Sequence, residues 1–211
     1  MSTVEATRVM AETPNVLIVE DEPDLAELYA IWLEDHCDVD IAFDGSEALD
    51  SIDETVDVVL LDRRMPGLSG DDVLDTIRER DLDCRVAMVT AVEPDFDIIA
   101  MGFDDYLVKP VSKDELITVI ESMMLRSTYD AQLQEFFALA SKKSVLDKQK
   151  TDAELRAGQE YAALEDRLAV LRVQVEDTLS DILERDAYSR LGQDIVPDTN
   201  TDRTGSDVES S

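Results

Sequence analysis

Asp62 ends an apolar run, Val56-Asp57-Val58-Val59-Leu60-Leu61, and is followed by Arg63-Arg64-Met65-Pro66-Gly67. A strand that runs into a carboxylate and then a Pro-Gly loop sets that carboxylate at the strand's C-terminal edge, where open α/β sheets place their chemistry. Three other apolar runs end in the same way. Val16-Leu17-Ile18-Val19 leads into Glu20-Asp21, Val86-Ala87-Met88-Val89 into Thr90, and Tyr106-Leu107-Val108 into Lys109-Pro110. One such strand end would mean little. Four at the same end of a parallel sheet can converge on one pocket.

Three carboxylates held together repel unless something neutralises them, and a hard divalent cation is the usual agent. Glu20, Asp21 and Asp62 would offer oxygen ligands to Mg²⁺, which prefers one or two carboxylates, waters and phosphate oxygens. A carboxylate beside a metal and a lysine can also act as a nucleophile toward phosphorus. Phosphoryl transfer asks mainly for positioning and charge neutralisation, which the Lys109 ammonium and the Thr90 hydroxyl would extend to the phosphoryl oxygens. Taken alone, Glu20 and Asp21 would read as caps of the helix that starts at Pro23. Their company with Asp62 and Lys109 favours the metal reading.

Between the strands lie helical patterns. Pro23 to Leu33 places Leu25, Leu28, Ile31 and Trp32 on one face, Ser46 to Ile52 is short, and Asp71 to Arg80 turns Val73, Leu74 and Ile77 inward. Pro94 to Met101 would be a fourth helix. Ser112 to Met124, with Leu116, Ile117, Val119 and Ile120 inward, would be the fifth. Strands alternating with helices this regularly imply an α/β fold with a doubly wound parallel sheet.

The stretches Glu20-Asp21-Glu22-Pro23, Leu60-Leu61-Asp62 with Met65-Pro66-Gly67, Thr90-Ala91 and Asp104-Asp105-Tyr106-Leu107-Val108-Lys109-Pro110 closely resemble the receiver domains of two-component response regulators. The resemblance covers roughly residues 14 to 125 and keeps the family's motif order. It implies a flavodoxin-like sheet of five strands in the order 2-1-3-4-5. It implies that Asp62 accepts phosphate from a histidine kinase, and that Glu20, Asp21, Asp62 and the backbone carbonyl of Arg64 hold Mg²⁺. Thr90 would be the switch hydroxyl, Lys109 the phosphate-pairing lysine, and Tyr106 the switch aromatic in place of an ordinary half-buried strand tyrosine. The Lys109-Pro110 bond would be cis. The surface made by 94–101, 104–109 and 112–124 is where receivers of this family commonly pair, which implies a homodimer on phosphorylation. A haloacid-dehalogenase-type phosphatase also uses a strand-end Asp, but usually carries a second Asp two residues on, where this chain has Arg64. No second catalytic constellation follows residue 110, so an enzyme is not expected.

In receivers, the positions two past the phosphorylated Asp and two past the switch Thr flank the route of the hydrolytic water. Here they are Arg64 and Val92, a long cation and a branched apolar group, which implies slow self-dephosphorylation. Arg63 reads as a solvated loop charge.

Charge narrows the setting. The net charge is −31, and residues 15–125 alone carry 7 basic and 30 acidic side chains, a net of −23. Such self-repulsion destabilises a compact state in dilute buffer. Molar salt, with a Debye length of about 3 Å, screens it. The composition is that of a salt-in halophile's cytoplasm. Cys37 and Cys84 follow no metal-ligand spacing and read as reduced core or boundary thiols. His36, the single histidine, reads as a surface or boundary residue. The first thirteen residues form an N-terminal extension without the pattern of a signal peptide, and no run approaches membrane-spanning length.

After about residue 126 the composition changes. Gly and Pro vanish until Gly192 apart from Gly158. Ala153 to Leu191 reads as helix, with Tyr161, Leu164, Leu168, Leu171, Val175 and Ile182 at heptad a/d positions and Thr178 at one polar d position. A shorter cluster of Leu133, Phe136, Phe137, Leu139 and Ala140 precedes it, with a break expected at Lys142-Lys143-Ser144. Neither stripe can be buried alone. An antiparallel hairpin within one chain and a coiled-coil dimer are both open. The Tyr161-Ala162-Ala163-Leu164 helix, the Leu168/Leu171 repeat and Thr178-Leu179 resemble HalX, a helical domain that follows receivers in halophilic archaea and is commonly labelled transcriptional. Residues 192–211 read as a disordered acidic tail.

The segment 126–191 would therefore be an output or dimerisation domain. It either controls transcription through DNA or the transcription machinery, or docks on a kinase or other protein without touching DNA. Its net charge of −3 and the lack of a helix-turn-helix pattern favour docking.

Overall fold

The computed structural model describes residues 13–193. Most of the N-terminal extension and nearly all of the acidic tail expected from the sequence lie outside them. Five strands, β1 (Asn15–Val19), β2 (Asp38–Ala42), β3 (Val58–Leu61), β4 (Arg85–Thr90) and β5 (Asp105–Val108), form one parallel sheet in the order β2-β1-β3-β4-β5. The central strands are apolar at nearly every position because both faces are covered. Val16, Ile18, Val58, Leu60, Ala87 and Val89 face α1 (Pro23–Leu33) and the first turns of α4 (Lys113–Gln149). Leu17, Val19, Val59, Leu61, Val86 and Met88 face α2 (Gly45–Ser51) and α3 (Gly70–Glu79).

Of the inward residues expected on α3 and the start of α4, Val73, Leu74, Ile77, Leu116, Val119 and Ile120 are buried, and Ile117 is half-buried against the core. The face of α1 is different. Ala26, Tyr29 and Leu33 make its buried stripe, with the expected Leu25 and Trp32 half-buried against the same core, while Leu28 and Ile31 are exposed. Eight of its eleven residues are apolar, so periodicity alone could not choose the stripe. The stretch expected as a helix from Pro94 to Met101 is a single 3₁₀ turn, Phe96–Ala100, opened by Asp95 accepting from the Phe96 N–H.

The largest difference lies beyond the sheet. Helix α4 does not stop near Met124 but runs 37 residues to Gln149, straight through Lys142-Lys143-Ser144. With neither Gly nor Pro between Leu125 and Gln149, nothing ends it. The break comes at Lys150, where Thr151 caps α5 (Asp152–Ala157) through a capping box with Glu154. Gly158 then separates α5 from α6 (Gln159–Gln193).

Helices α4 and α6 pair antiparallel within one chain. Glu121 meets Arg185, Gln132 meets Thr178, Glu135 meets Arg167 and Lys143 meets Tyr161, so partners on α6 descend as those on α4 rise. The heptad stripe is the seam of this hairpin, with Leu171 fully buried and the Thr178 hydroxyl donating to Gln132 Oε1 at 3.0 Å. Lys143, expected at a break, instead clasps the seam. It donates to the Tyr161 hydroxyl at 2.6 Å and pairs with Asp147 and Glu165.

Candidate functional site

Parallel ladders continue one residue past the strand ends and set the site in register. The Glu20 N–H donates to the Ala42 carbonyl, the Asp62 N–H to that of Val19, and the Lys109 N–H to that of Thr90. Glu20 and Asp62 therefore stand level at the carboxyl edge of the sheet, with Thr90 one residue and Lys109 two residues further along it. Neither Glu20 nor Asp21 caps α1. The N-cap is Glu22, whose side chain makes no capping bond. The carboxylates at 20 and 21 are left to the pocket.

Lys109 Nζ lies 2.6 Å from Glu20 Oε2 and 2.6 Å from Asp62 Oδ2. Asp62 Oδ1 accepts from the Arg64 N–H at 3.1 Å. Both acids are buried, and burial pushes the Glu20 carboxyl above its ordinary pKa although Lys109 pulls the other way. Burial also opposes the charge on Lys109, but its bonds to Asp62 and Glu20 outweigh that and hold its pKa above the ordinary value. The ammonium stays charged, and Glu20 is short of positive partners. Glu20 Oε1 is buried with no hydrogen-bond partner. Oxygen atoms of Glu20, Asp21 and Asp62 lie within 4.8 Å of one another. An all-oxygen donor set with one orphaned buried oxygen fits a hard divalent cation such as Mg²⁺, which would also stabilise the ionised form of Glu20.

Thr90 is buried, and its hydroxyl accepts a long bond from the Val92 N–H at 3.4 Å. The Tyr106 hydroxyl donates to the Val92 carbonyl at 2.8 Å, and its ring packs on Phe103 at 5.5 Å between centroids. The loop residue Val92 thus joins the two side chains expected to act as the switch. The Lys109-Pro110 bond is cis. Arg64 is exposed, and with Met65, Ser69, Val92 and Glu93 it lines an open groove of about 670 Å³ beside the site.

Two features of the site were not read from the sequence. Arg63 is not a solvated charge. Its guanidinium pairs with Asp71 at 3.0 Å and fixes the loop after Asp62 to α3. Gly70 is the other. A Cβ there would lie 2.1 Å from the Asp62 carbonyl oxygen, so only glycine lets α3 begin against the end of β3. The Ser69-Gly70-Asp71-Asp72 capping box is a readable signal for a helix start, but not for that contact. Cys37 and Cys84 are buried free thiols, and His36 is exposed, as expected.

Residues 16–121 match the family described as the response regulator receiver domain, and residues 125–192 match the HalX domain. The chain belongs to the response regulator receiver family, with a HalX domain following the receiver. Among curated proteins, a Haloferax volcanii protein named "Putative transcriptional regulator" is 50% identical over 162 residues, 76% of this chain and 28% of the relative. CpxR, a transcriptional regulatory protein of Escherichia coli, is 36% identical over 123 residues, 56% of this chain and 53% of the relative. ArlR, a response regulator of Staphylococcus saprophyticus, is 36% identical over 53% of this chain and 52% of its own length. The chain thus spans about a quarter of the first of these relatives and about half of the other two. Among solved structures, a signal receiver domain from Vibrio parahaemolyticus aligns with a TM-score of 0.53 and 31% identity over 57% of this chain and 96% of its own. A Francisella response regulator receiver domain aligns with a TM-score of 0.50 and 31% identity over 54% and 98%. Among the described residues, no helix is long and apolar enough to cross a membrane.

Proposed function

We propose that the chain is a cytoplasmic response regulator, phosphorylated on Asp62 by a sensor histidine kinase, which controls transcription through its helical domain. The observation that carries the reading is the half-buried Lys109 ammonium bridging Asp62 and Glu20, with Glu20 Oε1 left unpartnered beside Asp21. Residues 14–125 would be the receiver and 126–191 the output or dimerisation domain. Glu20, Asp21, Asp62 and the Arg64 carbonyl would hold Mg²⁺, which when bound neutralises charge on the transferring phosphoryl oxygens. A carboxylate oxygen of Asp62 attacks phosphorus while the bond to the donor's imidazole nitrogen breaks. Lys109 stays protonated and pairs with the phosphoryl group.

Phosphorylation adds charge and acceptor oxygens at Asp62. The Thr90 hydroxyl then exchanges its long bond to the Val92 N–H for the phosphoryl group, and Tyr106 follows as the Val92 loop moves. This is a population shift between two states, and it would reshape the pairing face that holds the exposed Phe96, Ile99 and Val108, favouring a homodimer. A second reading is supported by the charge of −3 over residues 126–191 and by the exposed Phe137 and Leu183 on the hairpin. It makes the helical domain a phosphorylation-dependent docking module for protein, without DNA contact. Cross-linking cells, recovering the protein and sequencing the DNA that accompanies it, for wild type and Asp62→Asn, tests the choice. Discrete sites that need Asp62 support transcriptional control, and background DNA in both sinks it in favour of docking.

A further inference from the structure

Basic side chains are scarce in residues 15–125, yet two of the seven, Arg78 and Arg85, converge on one carboxylate. Asp104, in the loop before β5, accepts from Arg78 Nη2 at 2.9 Å, from Arg85 Nη1 at 2.8 Å and from the Val86 N–H at 2.8 Å. The other terminal nitrogen of Arg85 pairs with Asp130 on α4. Asp130 is seven residues past Met123, the last α4 side chain in the core under the sheet. Arg126 lies between them, its guanidinium 3.5 Å from the Asp104 carbonyl and 4.0 Å from the Asp105 carboxylate. One guanidinium therefore ties the strand that carries Tyr106 to the base of the helical hairpin.

The two ends of this tie differ. The Asp104 side chain is 17% exposed and held by three donors, whereas that of Asp130 is 52% exposed. Water competes at the Asp130 end, so that end opens first. Helix α4 passes the joint without a break. The 19 residues of it past Asp130, at 1.5 Å per residue, make a rod of about 29 Å, and a small rotation at the joint displaces the hairpin tip by several ångström.

We infer that Arg85 is a latch. Whether it holds Asp130 together with Asp104 sets the direction of the hairpin relative to the sheet, and β5 operates it. The inference rests on the phosphorylation reading above, because the link from Asp62 to β5 runs through Thr90, Val92 and Tyr106. Spatial continuity is not coupling in itself, so the test measures hairpin orientation.

Spin labels at Ser46→Cys on α2 and Lys148→Cys near the hairpin tip, in the full chain with the buried Cys37 and Cys84 in place, give an inter-label distance by pulsed electron resonance. Beryllofluoride with Mg²⁺ serves as the phosphoryl mimic. The latch predicts that Asp130→Asn, without the mimic, moves or broadens the distribution by several ångström, and that Asp130→Glu keeps the wild-type distribution. It also predicts that the mimic moves the wild type toward the Asp130→Asn distribution. Superimposable distributions for wild type and Asp130→Asn under both conditions overturn the latch. If Asp130→Asn moves the label but the mimic, bound at Asp62, leaves the wild type unchanged, operation of the latch by β5 is overturned; if the mimic does not bind at Asp62, the phosphorylation reading fails instead.

Discussion

Lys109 places its ammonium 2.6 Å from Asp62 Oδ2 and at the same distance from Glu20 Oε2, joining residues 89 apart in the chain to each other and to the middle strand. Lys109→Ala would leave two buried carboxylates without their cation, which costs on the order of 3 kcal/mol when one partner of a buried pair is removed. In Mg²⁺-free buffer at high salt the denaturation midpoint is expected to drop accordingly, and Mg²⁺ should restore more stability to the variant than to the wild type. An unchanged midpoint would mean the bridge contributes nothing to the fold.

Gly70 and Gly67 make a paired test of the loop after Asp62. A methyl group at 70 meets the Asp62 carbonyl oxygen at 2.1 Å, and that backbone cannot move without moving the site. At 67 there is open space, but φ is +81°, a left-handed conformation that costs a non-glycine residue about 1 kcal/mol. Gly70→Ala is expected to cost more than Gly67→Ala, about 2–4 kcal/mol, and to impair phosphorylation. Equal losses in chemical denaturation would contradict this.

The phosphoryl group should be long-lived. Arg64 and Val92 line the same groove beside Asp62, where a hydrolytic water would enter. With the kinase absent, decay of the phosphoprotein in Mg²⁺ buffer is expected over many minutes, and the double variant Arg64→Ala, Val92→Ala should decay roughly tenfold faster, a difference of about 1.4 kcal/mol in barrier. Decay of the wild type within seconds would remove these two residues from the account.

Burial pushes the Cys37 thiol from 9.0 to about 11. A folded-state pKa above the unfolded one contributes stability that is fully present below the unfolded value and lost as pH rises through the folded value. Stability should therefore decline between pH 9.0 and about 11, and Cys37→Ser should flatten that decline. Native protein at pH 8 should resist thiol alkylation at Cys37. A flat alkaline profile for the wild type would count against this role.

The receiver half was legible because its signals are local and repeated. Apolar runs ending in Glu20, Asp62, Thr90 and Lys109 specify strand ends, and a parallel sheet with both faces covered puts them together. What the sequence hid was set by contacts across elements. Gly70 looks like any residue of a helix start until the Asp62 carbonyl is placed against it, and Arg63 looks solvated until Asp71 turns toward it. On α1, apolar residues all round left the buried stripe to be chosen by the shape of the sheet. In the helical half the heptad stripe was readable, but it says only that a partner exists. That the partner is α4 of the same chain follows from a helix with no stop signal for 37 residues and a turn at Thr151, where the capping box, not the lysine pair, ends the run.

The most direct test is the mass of the intact protein after incubation with acetyl phosphate and Mg²⁺ at high salt, for wild type and Asp62→Asn. The wild type is expected to gain the mass of one phosphoryl group, labile to hydroxylamine as an acyl phosphate is, and Asp62→Asn to gain none while keeping the wild-type circular dichroism. A folded Asp62→Asn protein that gains the same mass to the same extent would contradict the assignment of Asp62 and the function built on it.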